Sequence, residues 1–347
     1  MNPNKYIDIE KIKDIIVIPH HNQLGDMLCS LTLYAALKKK FPESRITLVA
    51  AKTNYDIPYQ EINSYVDRVI IFDKQSAKTI VKFFRELRER KYQIGIVPST
   101  IKISRTSHII NFLSGAKVRV GVKSIGGIKN TSYKLLNVKS DFGWGNSHQL
   151  ERNLDVVKQI GCDLLDEETQ SLKFKFLDDD ISDAKRFIEE IFPDKSKKII
   201  GFHPGAGKHE NMWSTIRFVE LIKKIYDRYN NYVLLTSGNI DKTVIDKVEN
   251  GMKKSGIQYN ILNNLAIKKL GVLLSLIDLY ITNDTGSMHV AGLSNAKMIS
   301  LFGPTNPAEW APKGVNQMFL KSRTNNTNDI TVDEVFNLTS KMLEEEK

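Results

Sequence analysis

Short apolar runs alternate along this chain with longer segments of helical periodicity, and the alternation occurs in both halves. In the first half, strands are predicted at residues 14–19, 45–50, 68–72, 93–97 and 118–121, and helices at 26–39, 79–90 and 105–113. In the second half, strands are predicted at 198–203, 232–236, 258–261, 279–282 and 297–302, and helices at 216–229 and 241–254. Apolar strands separated by helices are typical of parallel sheets covered on both faces. The pattern therefore predicts two doubly wound α/β domains.

The length of 347 residues fits two domains of ordinary size. We predict a first domain over residues 1–175 and a second over 176–325, with a terminal helix in 326–347 as a candidate for packing back on the first domain. Two such domains facing each other form a cleft at the carboxyl ends of both sheets, where open α/β sheets bind ligands.

Composition and charge narrow the class of ligand. The chain is 41% hydrophobic and 26% charged, as in ordinary globular proteins, and its formal net charge is +10. A positive balance favours phosphorylated substrates or a membrane surface; nucleic acid is not expected, because no basic motif interleaved with aromatic residues occurs. Cys29 and Cys162 cannot form a disulfide framework, and no export signal or long apolar span is visible. We expect a cytoplasmic protein, at most peripheral to a membrane.

The most informative motif is residues 283–289, with the sequence NDTGSMH. It follows an apolar run and precedes small apolar residues, which predicts a strand, a tight turn and a helix that begins inside the motif. Asp284 and Thr285 are common N-cap residues, and Gly286 allows a ligand to approach the backbone. The start of a helix favours phosphate. His289 lies one helical turn beyond Thr285. A histidine at this position is equally compatible with burial in the core and with contact to a ligand.

The pair Gly25-Asp26 follows the first predicted strand and opens the first long helix. An aspartate at this position commonly caps the helix. It is alternatively a general base, because the helix N-terminus keeps a carboxylate ionised. Its place at the expected cleft favours the second role, and the residue alone leaves both open.

A third motif, HPGAGK at residues 203–208, also follows a predicted strand. It is not a Walker loop, since His209 stands where Ser or Thr is required, and Glu210 takes the third glycine position of a dinucleotide-binding loop. The motif is therefore a flexible loop with one cation, Lys208. It either contacts a diphosphate or forms only a plain turn from strand to helix. No metal site is predicted: the adjacent His20 and His21 project apart, and no zinc-type spacing occurs.

These motifs together resemble those of glycosyltransferase family 9, the bacterial heptosyltransferases of lipopolysaccharide core synthesis. The matching segments, in chain order, are Gly25-Asp26, Phe41-Pro42, residues 118–121, residues 148–153, His203-Pro204-Gly205-Ala206, Trp213, Asn283-Asp284-Thr285-Gly286, Met288-His289 and residues 302–305. Each segment is weak alone, but their order and spacing across nearly the whole chain are specific.

The resemblance implies a GT-B fold and inverting, metal-independent transfer of a sugar from a nucleotide-sugar, typically ADP-heptose, without a cofactor. The expected acceptor is a lipopolysaccharide core or another anionic glycolipid or glycan at the inner membrane. By resemblance, Asp26 matches the catalytic base. The donor site is assigned to Gly205, Ala206, Lys208, Leu265, Asp284, Thr285, Gly286, Ser287 and His289. The acceptor side is assigned to Gly25 and, because their positive charge in a first-domain segment would attract an anionic acceptor rather than because of the resemblance, to Arg105, Arg119 and Lys123.

One departure from the family pattern concerns the donor. Many members place a lysine two residues before the tryptophan of the first donor loop, and Asn211 stands there in this chain. Either Lys208 reaches the diphosphate from a different point or donor recognition differs. Two other functions remain open: a GT-B-type sugar-nucleotide epimerase, which needs no acceptor, and a non-catalytic two-lobed binding protein.

Overall fold

The computed structural model describes residues 12–19, 23–52 and 63–344, so His20 and His21 lie outside the described residues. Its internal contacts divide the chain into two units, Met1–Leu172 and Lys173–Lys347. The division falls between the sixth and seventh helices of the described chain, Asp166–Gln170 and Asp178–Ile191.

The first unit contains a mostly parallel sheet. Its strands are β1 (Asp14–Val17), β2 (Arg45–Ala51), β3 (Arg68–Phe72), β4 (Ile94–Ile96), β5 (Val118–Ile125), β6 (Ile128–Lys129) and β7 (Val138–Phe142). Its helices are α1 (Leu24–Cys29), α2 (Leu31–Lys40), α3 (Ala77–Arg88), α4 (Arg105–Leu113), α5 (Gln149–Lys158) and α6 (Asp166–Gln170). The strand order is β3-β2-β1-β4-β5, with antiparallel β6 and parallel β7 both paired to β5.

The long helix predicted at residues 26–39 is two helices, α1 and α2, that meet at Ser30. The Ser30 hydroxyl donates to the Met27 carbonyl oxygen at 2.8 Å, and the Ser30 backbone has φ −85° and ψ −3°. A serine that bonds to the backbone of its own turn competes with the helical pattern. The break makes α1 a separate short helix that carries Asp26.

The second unit contains a fully parallel sheet. Its strands are β8 (Ile199–His203), β9 (Tyr232–Ser237), β10 (Asn260–Asn263), β11 (Leu279–Asn283), β12 (Met298–Phe302) and β13 (Gln317–Lys321). Its helices are α7 (Asp178–Ile191), α8 (Thr215–Tyr229), α9 (Lys242–Lys254), α10 (Ile267–Leu276), α11 (Gly286–Leu293), α12 (Pro307–Trp310) and α13 (Val332–Glu344). The strand order is β10-β9-β8-β11-β12-β13. Strands β8, β11 and β12 are buried along their whole length, as the apolar runs predicted.

The terminal helix α13 buries its apolar face in the second unit, whereas the sequence suggested packing on the first domain. Val335, Met342 and Leu343 belong to the same core cluster as residues of α8 and β12. The cause is the spacing of these apolar residues, which places them on one face of α13. The segment before the helix is held by Trp213, whose indole nitrogen donates to the Ile330 carbonyl oxygen at 2.9 Å.

Trp213 provides a test of this packing. It is 1% exposed and packs edge-on against Phe218. We expect Trp213→Ala to lower the free energy of unfolding of the second unit by about 3–5 kcal/mol, because it leaves a large cavity. Trp213→Phe should cost about 1 kcal/mol, mainly through the lost hydrogen bond. Hydrogen–deuterium exchange should accelerate in peptides from α13 and stay unchanged in the first unit; unchanged α13 peptides would contradict the packing.

Candidate functional site

In the second unit, two of the predicted motifs are brought together by strand order. Strand β8 pairs in parallel with both β9 and β11, so the order of strands reverses between β8 and β11. Loops that leave the carboxyl ends of strands at such a point diverge and leave a ligand crevice. Residues 204–208 follow β8 and residues 284–285 follow β11, so both motifs lie at this crevice.

A buried amide joins the two loops. The Asn283 side chain donates through Nδ2 to the carbonyl oxygens of Pro204, at 2.9 Å, and Gly205, at 3.2 Å. Its Oδ1 accepts a hydrogen bond from the Trp213 backbone nitrogen at 3.1 Å. Asn283 is fully buried. The first residue of the NDTG motif is therefore structural, and it holds the turns that the neighbouring residues present.

Asn211, which stands where many family members have a lysine, is hydrogen-bonded to Asp284. It is buried, and its Nδ2 donates to Asp284 Oδ2 at 3.0 Å and to the Asp284 carbonyl oxygen at 3.2 Å. Burial raises the pKa of Asp284, and this outweighs the Thr305 hydrogen bond and the positive charge of Lys208, which both lower it. Exposed Lys208 is thus close enough to act on the Asp284 carboxyl electrostatically.

The helix after the motif begins at Gly286, with Thr285 as its N-cap residue, as the sequence predicted. The Thr285 side chain makes no capping hydrogen bond, so it does not occupy the N–H groups of the first turn. Such N–H groups bind anions. Ser287 and His289 are both buried on this helix, and the His289 ring lies 6.0 Å from that of Trp310, in an edge-on contact.

The loop after β8 is supported from behind by Asp241. A Cβ on Gly205 would lie 2.1 Å from Asp241 Oδ1, so only glycine fits this approach. Asp241 Oδ2 accepts from the Gly238 backbone nitrogen at 2.6 Å and lies 3.6 Å from His203 Nε2. Burial lowers the pKa of His203, which outweighs the opposite effect of Asp241. Ala206 is also buried.

Leu265 lies at the same edge of the sheet. It follows β10, packs on the cluster formed by Ala184, Val272 and Leu273, and remains half-buried. The preceding Asn264 has a positive φ of 52°, and its nitrogen donates to the Ser237 carbonyl oxygen at 2.9 Å. This turn places an apolar side chain two strands away from the loop after β8.

In the first unit, Gly25 and Asp26 lie half-buried in the first turn of α1. Helix α5 braces this segment: the Leu150 carbonyl oxygen accepts from Thr32 Oγ1 at 2.7 Å. Asn153 Nδ2 donates to the Cys29 carbonyl oxygen at 3.4 Å and to the Gln149 carbonyl oxygen at 2.8 Å. The conspicuous polar run at residues 148–153 therefore supports the helix that carries Asp26, a role that sequence reasoning did not assign.

The first unit also contains a cavity of about 680 Å³ that the sequence did not predict. It lies at the carboxyl ends of β1, β2 and β3, beside the start of α4. The polar residues that line it are Lys52, Asp73, Lys74, Gln75, Ser104, Thr106 and Ser107. Lys52 Nζ lies 3.0 Å from Asp73 Oδ2 and donates to Gln75 Oε1 at 2.7 Å. An apolar floor with a partly cationic rim suits a polar, anionic ligand.

The three basic residues assigned to the acceptor are not brought together. Arg105 is exposed at the start of α4, between the cavity residues Ser104 and Thr106. Arg119 lies over the Phe112 ring near the other end of α4, and its guanidinium donates to the carbonyl oxygens of Leu135 and Ala116. Lys123 forms a 2.7 Å ion pair with Asp141. These contacts give Arg119 a structural role and leave Arg105 beside the cavity.

Among the described residues, no cluster of three or more His, Cys, Asp or Glu side chains is arranged to hold a metal ion. Within the same residues, none of the helices is both long and apolar enough to span a bilayer.

The family of the chain follows from comparison with known proteins. Residues 80–338 match the model described as glycosyltransferase family 9 (heptosyltransferase). The chain belongs to glycosyltransferase family 9. Among curated relatives, lipooligosaccharide heptosyltransferase 2 of Campylobacter jejuni is 26% identical over 148 residues, which are 42% of this chain and 46% of that protein. This family 9 chain thus matches about half the length of that relative.

Two solved structures are similar over nearly the whole chain. A glycosyl transferase family 9 protein from Veillonella parvula has a TM-score of 0.75 at 18% identity, covering 95% of this chain and 97% of that one. Escherichia coli ADP-heptose lps heptosyltransferase II has a TM-score of 0.73 at 21% identity, covering 96% and 100%. The predicted fold class, α/β with two doubly wound Rossmann-like units of the GT-B type, is confirmed.

The raised pKa of Asp284 predicts a pH-dependent effect of Asp284→Asn. Because the folded-state pKa lies above that of the unfolded chain, the folded state loses stability as pH rises through this range. The asparagine removes that penalty and keeps an acceptor for Asn211. We expect the variant to melt above the parent protein at neutral pH, and the difference to shrink as the pH falls below about 4, because the parent carboxyl is protonated in both states only below its unfolded-state pKa.

Melting temperatures across this pH range test the effect, with Asp227→Asn on the exposed face of α8 as the control for loss of one charge. A stabilisation of Asp284→Asn that grew as the solution became more acidic would contradict the prediction.

Proposed function

We propose that this chain is an inverting glycosyltransferase that moves a sugar, heptose from ADP-heptose, to a lipopolysaccharide-core or other glycan acceptor. The proposal is supported by family membership and by similarity to a protein described as an ADP-heptose lipopolysaccharide heptosyltransferase. The observation that carries the proposal is at the carboxyl ends of β8 and β11. The loop 204–208 lies there beside the start of α11, whose N–H groups are not capped by the Thr285 side chain.

On the donor side, the first turn of α11 and the loop 204–208 bind the diphosphate. The N–H groups near Gly286 and Ser287 face the phosphates, and Lys208 adds a positive charge as the diphosphate departs. Lys208 supplies this charge because an asparagine, Asn211, stands at the family lysine position and its side chain is hydrogen-bonded to Asp284. Leu265 contacts the nucleotide base, and Asp284 and His289 contact the sugar.

On the acceptor side, Asp26 acts as the base. Its carboxylate accepts the proton of an acceptor hydroxyl, and the hydroxyl oxygen forms a bond to the anomeric carbon of the donor. The bond from that carbon to the diphosphate oxygen breaks, and the nucleoside diphosphate leaves with the electron pair. One displacement inverts the anomeric centre. The cavity beside α4 holds an anionic part of the acceptor near Lys52 and Lys74.

Asp26→Asn tests the assignment of the base. The amide keeps the size of the side chain but cannot accept the proton, so we expect kcat to fall at least about a hundredfold, the lower range for general-base catalysis. ADP affinity should remain unchanged, because Asp26 lies in the other unit. Glu43→Gln, at an exposed position of the same unit, is the control. Release of ADP from ADP-heptose with heptose-free lipopolysaccharide measures turnover, and parental turnover of Asp26→Asn would remove it as the base.

Donor identity and reaction type are tested together. Thermal stabilisation by ADP, UDP and GDP ranks the nucleotides, and we expect ADP to give the largest shift. Incubation of the nucleotide-sugar with and without acceptor then separates transfer from epimerisation. Release of nucleotide that depends on the acceptor supports transfer. An altered sugar-nucleotide formed without acceptor would support the epimerase, and binding without turnover the non-catalytic protein.

The cavity predicts a specific effect on acceptor binding. Replacing Lys52 and Lys74 with alanine should raise the KM for an anionic acceptor about tenfold, equivalent to about 1.4 kcal/mol, and leave the KM for the donor unchanged. Lys13→Ala, an exposed lysine just before β1 and thus at the opposite edge of the sheet, is the control. A parental acceptor KM in the double variant would place the acceptor elsewhere.

A further inference from the structure

The outer face of helix α3 combines apolar and basic side chains. Val81 is 68% exposed at the middle of this face. Beside it lies an open groove of about 510 Å³, lined by Ile80, Val81, Phe84, Arg85, Arg88 and Glu89. The opposite face of the helix is buried through Phe83 and Leu87, so α3 is anchored in the first unit. The apolar strip on the outer side consists of exposed Val81 and of Ile80 and Phe84, which are half-buried; Phe84 also packs on the core.

The charged residues around this strip are mostly cations. Lys78, Lys82, Arg85 and Arg88 are exposed and follow the spacing of three or four residues that keeps side chains on one helical face. The carboxylates beside the strip are Glu86, which lies 3.7 Å from Lys82 Nζ, and Glu89, which forms a 2.6 Å ion pair with Arg68. The face therefore carries an excess of positive charge directly beside exposed apolar groups.

We propose that this face of α3 docks the protein on an anionic lipid surface, which deepens the proposed function by naming where a membrane-anchored acceptor is met. Val81 and Phe84 would enter the boundary between headgroups and acyl chains, and the surrounding cations would bind lipid phosphates. This is the arrangement by which amphipathic helices bind membranes in the interfacial plane. A nucleic-acid backbone would satisfy the cations but would leave Val81 and Phe84 exposed, so a lipid surface is the better match.

The docking face is continuous with the acceptor cavity. The cavity residues Asp73, Lys74 and Gln75 lead directly into Ser76, which caps α3 through the Thr79 backbone nitrogen at 3.2 Å. The Thr79 hydroxyl donates to the Asp73 carbonyl oxygen at 3.1 Å, which joins the start of the helix to the cavity wall. A glycolipid headgroup held in the cavity would thus have its lipid part beside the surface that α3 binds.

Co-sedimentation with vesicles tests the proposal on the full chain. Vesicles of phosphatidylcholine mixed with phosphatidylglycerol should bind the protein, and vesicles of phosphatidylcholine alone should not. Arg85→Glu combined with Arg88→Glu should weaken binding at least tenfold, and Val81→Asp should weaken it even in low salt. The matched control reverses two exposed lysines of α9, Lys247→Glu and Lys254→Glu, and should bind as the parent does. Circular dichroism and melting temperature confirm that each variant is folded.

Parental vesicle binding by the α3 variants, or an equal loss in the α9 control, would overturn the proposal. So would duplex DNA or RNA that binds this face more tightly than the mixed vesicles. Activity separates the proposal from the proposed function. The Arg85→Glu/Arg88→Glu variant should keep transfer to a water-soluble acceptor fragment and lose transfer to vesicle-embedded acceptor. Vesicle binding without transfer to any acceptor would leave the docking surface standing and refute glycosyl transfer.

Discussion

A single buried amide organises the ligand edge of the second unit. Asn283 ends β11, and its three hydrogen bonds reach the loop after β8 and the backbone at Trp213. Because this side chain is fully buried, its loss would remove a hydrogen-bond partner from these backbone groups at a place closed to solvent. The turn at Asp284 and the loop at Gly205 are therefore fixed relative to one another before any ligand arrives, and preorganised groups of this kind stabilise charge at little cost.

Much of the fold was predictable because parallel sheets have a simple sequence pattern. The strand pairs at both switch points, β1 with β4 and β8 with β11, correspond to predicted apolar runs. Strands β6, β7 and β13 were not predicted, since each is short or largely exposed and lacks the continuous apolar run of a covered strand. The break at Ser30 was missed because it depends on a local hydrogen bond rather than on periodicity.

The site was only partly predictable. The sequence placed the NDTG and HPGAGK motifs at strand ends, and pairing of those strands brings them together. It could not distinguish a ligand-facing residue from a supporting one: Asn283 and Asn211 have the polarity of contact residues, yet both are buried in bonds to the backbone or to Asp284. Arg119 similarly has the charge of an acceptor residue but bonds to carbonyl groups of its own unit. Whether a polar side chain contacts a ligand or supports the fold depends on which group lies opposite it. The spacing of residues along the sequence does not contain this information.

The parallel pairing of β8 with β11 also affects how the chain is made. On the side of β8 that faces β11, Ile200 stays unpaired until its partner Leu279 has been synthesised, which happens much later. Until then, one edge of β8 is an apolar strand with unpaired backbone groups, which favours wrong pairing between nascent chains. The first unit can complete its sheet while the second is still emerging from the ribosome. The β8–β11 crevice is therefore absent during most of synthesis, so no ligand of that crevice can stabilise the unfinished chain.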